Sequence, residues 1–251
     1  MHKAAPCAGI AFVVFSLWSA WGSAQIPSGD WILEKVDENL SSTNQVIVSK
    51  MVIHGRRETR TVEAKSWIQG TERSFTEYLA PAREKGTKML KLGDKLWMYS
   101  PATDRTIQIA GHMLRQSVMG SDLSYEDMLE DPKLSKLYRA EVIGNEKVDD
   151  RDCWVVALTA TSETVAYYSR KLWVDKERFV PLREELFARS GKLLKRVELK
   201  EVRRIQGRWY PMRIWFKDML KTGEGTEFVV ESVEFDQPIP EHLFSKASLR
   251  R

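Results

Sequence analysis

The sequence has 251 residues, of which 43% are hydrophobic and 29% are charged, so it can bury a full core and a wholly disordered chain is excluded. Its 39 Lys and Arg residues against 35 Asp and Glu leave a net charge of only +4, which argues against a nucleic-acid binder that works by neutralising many phosphates. Charges of both signs are interspersed, as in Arg183-Glu184-Glu185, a pattern typical of solvated strand faces.

Residues 1–24 are typical of a signal peptide. A short basic start at Met1-His2-Lys3 precedes an uncharged run from Ala4 to Trp21, and Gly22-Ser23-Ala24 supplies the small residues that a signal peptidase requires. An uncleaved membrane anchor is the alternative, because a run of this length nearly suffices to span a bilayer. The small residues and the polar Gln25 that follows favour cleavage and export.

The mature chain is expected to be a soluble protein outside the cytoplasm, in the periplasm. Cleavage would remove Cys7 and leave Cys153 as the one cysteine of residues 25–251. A single thiol excludes an intramolecular disulfide, a cysteine-based zinc site and a dithiol oxidoreductase, so packing must stabilise the fold.

The first element predicted after the leader is an amphipathic helix from Asp30 to Ser42. Ile32, Val36 and Leu40 recur at four-residue steps, and Ser28 is a suitable N-cap. After Asn44 the hydrophobic period changes to two, and both faces of this strand are apolar, which predicts that it lies between two layers.

A run of antiparallel strands is predicted next, about ten or eleven in all, joined by turns such as Gly93-Asp94, Ser190-Gly191 and Gln206-Gly207. The strands that the pattern delimits are Met89–Leu92, Lys95–Tyr99, Thr106–Ala110, Cys153–Ala160, Tyr167–Asp175, Phe179–Phe187, Lys192–Ile205, Arg208–Leu220 and Thr226–Phe235. The absence of alternating strands and helices argues against a parallel sheet or a nucleotide-binding α/β fold. Residues 25–251 are predicted to form a single domain.

A small helical element is predicted to interrupt the strands at residues 112–139. Ser124 and Asp127 have the spacing of a capping box, and Leu123 and Met128 occupy the positions of a hydrophobic staple. Two short helical turns are expected, separated at Pro132.

Residues that could support catalysis are few. The three histidines outside the leader stand alone, without metal-ligand spacing, so no metal and no cofactor is predicted. Asp122 and Asp127 could act as an acid–base pair. A turn position and a helix N-terminus explain the two carboxylates better, because such positions favour acidic residues. We therefore expect that the protein is not an enzyme.

The aromatic and methionine residues of the strands are more informative. Large apolar side chains share one face of several strands, while the predicted helices look too few to cover a ten-strand face, which predicts a concave apolar cavity. Ordinary core packing is the alternative for each residue taken singly, although flexible methionines suit a variable apolar guest. The predicted cavity residues are Met89, Trp97, Tyr99, Met128, Tyr210, Met212 and Phe216.

Five segments carry a resemblance to a known family. They are Leu96-Trp97-Met98-Tyr99 with Pro101, Met119-Gly120-Ser121-Asp122, Ser124-Tyr125-Glu126-Asp127, Gly207-Arg208-Trp209-Tyr210-Pro211 and Ile239-Pro240-Glu241-His242-Leu243-Phe244. In these segments the chain resembles the periplasmic outer-membrane lipoprotein-sorting proteins, the LolA-like family. The resemblance implies a mainly β fold: a strongly curved antiparallel sheet, or incomplete β-barrel, closed by a helical lid.

The resemblance also implies a binding function without catalysis. Members shield the acyl chains of lipoproteins or other envelope lipids, so acyl chains are the expected partners, with an inner-membrane transporter and an outer-membrane acceptor as further partners. A lipid-sensing or transporter-accessory subunit of the same fold is the alternative, and a hydrolase is a third hypothesis. We expect residues 119–139 to be a weakly anchored lid, with Met119, Leu123, Tyr125 and Leu129 on its apolar side.

Overall fold

The structure is a computed structural model, and it describes residues 26–56, 58–130 and 133–250. The predicted signal peptide and Pro132 lie outside these residues. Within them, no helix is both long enough and apolar enough to cross a membrane.

The N-terminal helix forms where the sequence predicts it. Helix α1 spans Gly29–Leu40, and the Ser28 hydroxyl caps it by accepting a hydrogen bond from the Trp31 amide at 3.2 Å. The predicted apolar stripe is buried, with Ile32 and Val36 at 0–1% exposure. A Cβ atom on Gly29 would overlap the backbone of Ala140, so glycine permits the close approach of α1 to a neighbouring strand.

Most of the remaining chain forms one antiparallel sheet of 13 strands. The strands are β1 Asn44–His54, β2 Thr59–Gln69, β3 Arg73–Ala80, β4 Lys88–Leu92, β5 Lys95–Ser100, β6 Arg105–Ile109, β7 Tyr138–Val148, β8 Arg151–Ala160, β9 Ser169–Asp175, β10 Pro181–Phe187, β11 Leu193–Ile205, β12 Arg208–Asp218 and β13 Gly225–Phe235. The predicted strands are present, with ends shifted by one or two residues. The predicted number was too low, because β2, β3 and β7 had not been delimited.

The strand order places the helical insertion at the open side of the sheet. The order is β6-β5-β4-β3-β2-β1-β13-β12-β11-β10-β9-β8-β7, so β6 and β7 are the two edges and the first strand pairs with the last. The chain between the edges contains helix α2, Tyr125–Leu129, and 3₁₀ turns at Gly111–Arg115, Val118–Gly120 and Leu134–Lys136. We call residues 111–137 the lid segment, of which residues 111–130 and 133–137 are described.

The sheet is curved around the lid segment. The Tyr125 hydroxyl lies 3.7 Å from the Met98 sulfur on β5, and Asp127, two residues later, forms an ion pair with Lys195 on β11. These strands are far apart in the sheet order, so only a sheet that curls can bring both to one helical turn. The result is an open, incomplete barrel with the lid segment across its concave face.

Two layers cover the sheet, one on each face. On the concave face, α1 packs on β7–β9, and the lid segment packs on a cluster that includes Met51, Val62 and Met89. On the convex face, a C-terminal segment with 3₁₀ turns at Glu241–Phe244 and Lys246–Arg250 buries Phe244 and Leu249 against side chains of β3–β5. The prediction that β1 lies between two layers was wrong, because its burial alternates strictly and the outward-facing Val46, Val48 and Val52 are only half-buried.

Candidate functional site

An apolar hollow lies on the concave face, between strands β1–β3 and the lid segment. Its volume is about 280 Å³. Strands β1–β3 contribute Ser49, Met51, Val62, Ala64, Ser66, Ile68, Ser74, Thr76 and Tyr78, β13 contributes Phe228, and the lid segment contributes Val118, Leu123, Asp127 and Met128. Strict alternation along β1 and β2 turns these side chains inwards and leaves their neighbours outside.

A second hollow, which we call the charged hollow, adjoins the first. It measures about 260 Å³ and shares Leu123 and Asp127 with the apolar hollow, so these two side chains divide the interior. Its other lining residues are Glu130, Tyr167, Arg170, Glu184, Leu186, Lys195, Val197, Leu199, Ile214 and Phe216. The hollow therefore combines aliphatic walls with paired charges.

Two larger depressions lie on the outside of the molecule. One, of about 590 Å³, is bordered by Glu38, Ser41 and Arg208, and the other, of about 450 Å³, by Arg115, Asp122 and Lys221. The first has mostly polar walls, and the walls of the second are about half polar and carry several charged side chains, so neither resembles the concave, mostly apolar sites that small apolar ligands occupy. The apolar hollow is the better candidate.

Asp127 ties α2 to the opposite wall of the barrel. Its carboxylate forms a buried ion pair with Lys195, accepts a hydrogen bond from the Tyr167 hydroxyl at 2.6 Å, and accepts the Ser124 amide at 2.7 Å. The Ser124 hydroxyl in turn accepts a hydrogen bond from the Asp127 amide at 3.3 Å, which completes the predicted capping box. Burial alone would raise the pKa of Asp127, but Lys195 and the hydrogen bonds outweigh it, so that pKa lies below its usual range.

A second buried ion pair holds the end of α2. Arg170, on β9, pairs with Glu130 just after the helix and lies 3.7 Å from Glu184 on β10. Burial raises the pKa of the Glu184 carboxyl, which Arg170 only partly offsets. The expectation that the acidic run around Glu184 forms a solvated strand face was therefore wrong, because its side chain is only 13% exposed and points inwards.

The first part of the lid segment is bonded to the β12–β13 hairpin. The Asp122 carboxylate accepts the Thr226 hydroxyl at 2.8 Å and the Asp218 amide at 3.0 Å, while Thr226 accepts the Asp122 amide at 3.0 Å. Lys221 donates to the Ser121 carbonyl at 2.7 Å. Both candidate acid–base residues, Asp122 and Asp127, thus hold the lid segment in place. The expectation of a weakly anchored lid was wrong, because its polar side chains find partners on β9, β11, β12 and β13.

The predicted lid residues share one environment. Met119, Leu123, Tyr125 and Leu129 all pack against the buried cluster beneath the lid segment. Of these, Leu123 also borders both hollows.

The predicted cavity residues lie in five different places. Met128 lines the apolar hollow and Phe216 lines the charged hollow. Met89 is buried within the cluster beneath the lid segment, and Tyr210 and Met212 belong to a neighbouring inner cluster with Phe235. Trp97 and Tyr99 lie on the convex face beneath the C-terminal segment, so they do not line either hollow.

Sequence reasoning missed the polar residues of the interior. Lys195 and Arg170 were indistinguishable from surface cations, and Ser49, Ser66 and Thr76 lacked any motif. The available signal was the alternation of β1, which places Ser49 between Ile47 and Met51 on the buried side. Among the described residues, no group of three or more His, Cys, Asp or Glu side chains is arranged to hold a metal ion.

Comparison with known proteins identifies the family. A family profile whose description reads "-like: Uncharacterized protein" matches residues 70–251. A LolA superfamily protein from Nitrosomonas europaea is similar over 89% of this chain and 100% of its own, with 27% identity and a TM-score of 0.73. The chain belongs to the family of that profile, and its fold is that of the LolA superfamily.

Two further solved structures share the LolA-like fold. A putative outer membrane lipoprotein-sorting protein domain from Vibrio parahaemolyticus has 22% identity and a TM-score of 0.77, covering 89% of this chain and 98% of its own. A DUF1329 family protein from Desulfovibrio piger has 23% identity and a TM-score of 0.81, covering 88% of this chain and 97% of its own. No curated protein matches this LolA-like chain.

Proposed function

We propose that this protein is a periplasmic carrier that shields the acyl chains of lipoproteins or other envelope lipids in the apolar hollow. The observation that carries the proposal is the hollow itself, enclosed between the concave face of the sheet and the lid segment. The similarity to a LolA superfamily protein and to a lipoprotein-sorting domain supports it. The engagement of Asp122 and Asp127 in holding the lid segment supports a role without catalysis.

The volume of the apolar hollow limits the length of the acyl chain that the protein can hold while the lid segment is closed. A cavity of roughly 150 Å³ accommodates benzene, so 280 Å³ has room for about ten carbon atoms on the same scale. Burying a chain of that length gains roughly 0.8 kcal/mol per CH₂ before the costs of binding are counted. A longer chain, or a second one, requires the lid segment to move so that the two hollows join.

Loading and release would then depend on the lid segment. Leu123 and Asp127 form the partition between the hollows, and the ion pairs of Asp127 and Glu130 keep that partition closed. Movement of α2 would break both pairs together and open a continuous passage across the barrel. A carrier needs such a closed state in water and an open state at a membrane.

The test is binding of a fluorescent fatty-acyl probe to the purified protein. Ala64 is 8% exposed and lines the hollow, so Ala64→Phe should fill it and weaken binding at least tenfold. The matched control is Ala157→Phe, on the convex side of β8, which should bind as the wild type does. The proposal fails if the wild type does not bind the probe, or if the two variants bind it equally well.

A further inference from the structure

Two consecutive apolar side chains are exposed in the turn between β12 and β13. This turn comprises residues 219–224 and lies at one end of the barrel. Met219 is 39% exposed and Leu220 is 59% exposed. Among the described residues, no other two consecutive large apolar side chains are both exposed. Single apolar side chains are common on protein surfaces, but an adjacent pair in a turn indicates a contact with an apolar partner.

Hydrogen bonds hold the β12–β13 turn in this conformation. The Met219 amide donates to the Leu194 carbonyl at 2.9 Å, and the Leu220 amide donates to the Asp218 carboxylate at 2.9 Å. The Lys221 amide donates to the Asp218 carbonyl at 3.2 Å. An ordered backbone therefore presents the two apolar side chains, and a partner that buries them does not have to order the turn first.

The β12–β13 turn borders a depression that adjoins the charged hollow. Leu220 and Lys221 line the depression of about 450 Å³ on the outside of the molecule. Tyr167 and Lys195 line both this depression and the charged hollow, and Asp127 contacts both of these side chains. A movement of α2 that releases Asp127 would therefore connect the interior to the outside beside the turn.

The distribution of charge distinguishes the two ends of the barrel. In the β12–β13 turn and the described parts of the turns on either side of it in the sheet, 188–192 and 55–58, the charged residues are Arg56, Arg189, Lys192 and Lys221 against Glu58 and Glu224. The remaining turns at the same end are nearly balanced in charge. In the turns between consecutive strands at the opposite end, the charged residues are Glu72, Asp94, Asp149, Asp150 and Glu177 against Lys176 and Arg178. An anionic surface would therefore attract the end with the exposed apolar pair and repel the other end.

We propose that the β12–β13 turn docks on a lipid bilayer that contains anionic phospholipid, with Met219 and Leu220 inserted among the headgroups. Apolar side chains flanked by Lys and Arg are typical of segments that lie in such an interface. A protein partner fits less well, because each partner of a stable complex contributes about 800 Å² of matched surface and two side chains in one turn offer far less. Docking at this end places the depression, and the charged hollow behind it, next to the bilayer. The contact goes beyond the proposed function, since it does not require that the apolar hollow binds acyl chains.

The experiment measures co-sedimentation of the purified mature protein with lipid vesicles. The wild type should bind vesicles of phosphatidylcholine and phosphatidylglycerol in equal parts more tightly than vesicles of phosphatidylcholine alone, because cations near an anionic surface add to the affinity. Met219→Ser/Leu220→Ser should weaken binding to the mixed vesicles by about tenfold or more, a factor that corresponds to about 1.4 kcal/mol, because the variant lacks the two apolar side chains that would leave water.

The matched control is Ile107→Ser/Ile143→Ser, which changes two apolar side chains of similar exposure, 39% and 53%, on the edge strands β6 and β7. This control should bind the mixed vesicles as the wild type does, and thermal unfolding of each variant shows that the fold is intact. The membrane contact is overturned if the wild type does not bind the mixed vesicles, if Met219→Ser/Leu220→Ser binds them equally well, or if the control loses as much affinity. Both variants should keep the affinity for the fatty-acyl probe, because none of the four residues lines either hollow. A wild type that binds the vesicles but not the probe overturns the proposed function and leaves the membrane contact standing.

Discussion

Replacing Asp127 by Asn should destabilise the closed lid segment strongly. The substitution leaves the Lys195 ammonium without its counter-charge in a site where the two side chains are only 7% and 15% exposed. Removing one partner of a buried ion pair costs about 3–5 kcal/mol, and the residual exposure of Asp127 favours the lower end of that range. About 3 kcal/mol corresponds to roughly a hundredfold rise in the open population.

Hydrogen exchange of the α2 amides measures that population directly, and urea unfolding shows whether the loss extends to the whole protein. Asp127→Asn/Lys195→Met removes both charges and should return the free energy of opening to within about 1 kcal/mol of the wild type, because Asn still accepts from Tyr167. Glu163→Gln removes an exposed ion pair with Arg189 and should change stability by less than about 0.5 kcal/mol. The reasoning is refuted if the double variant opens as readily as Asp127→Asn.

Three further predictions concern other parts of the molecule. Leu249→Ala should lower the unfolding free energy by about 2–5 kcal/mol in a urea titration, because Leu249 is fully buried, yet probe affinity should be unchanged since it lies on the convex face. Burial raises the pKa of the Cys153 thiol to about 11, so mass spectrometry should find its peptide unlabelled by maleimide at pH 7 until urea unfolds the protein. Burial raises the pKa of Asp127 and of Asp175, but the cations and hydrogen bonds around each carboxylate outweigh burial, so both pKa values lie below that of an ordinary Asp side chain. Their stabilisation is therefore complete above the pKa of the unfolded chain, about 4, and is lost as the pH falls through the folded pKa values. The melting temperature should drop below about pH 4, and it should drop less in Asp127→Asn/Asp175→Asn.

The local elements could be predicted from the sequence because their causes are local. The apolar stripe of Ile32 and Val36 with the Ser28 cap defines α1, and the spacing of Ser124 and Asp127 defines the start of α2. Turn residues such as Gly93-Asp94 fix where strands end. These features need no knowledge of the rest of the molecule.

The assignment of faces could not be predicted in the same way. Both faces of β5 are apolar, with Leu96 on one and Trp97 on the other, because the C-terminal segment covers the convex side. A period of two shows that two faces exist but not which one is concave. Lys195 likewise has the sequence context of a surface cation, and only the curvature of the sheet brings Asp127 to it.

The pairing of β1 with β13 has a consequence for how the protein is made. Gln45 pairs with Phe235, so the contact that joins strands β1–β6 to strands β7–β13 lies between residues that are far apart in the sequence. Contacts between residues so distant in the sequence form late, and they make folding slow. Until they form, both strands expose unpaired backbone groups and apolar side chains. We therefore expect slow refolding, with a yield that falls steeply as the protein concentration rises.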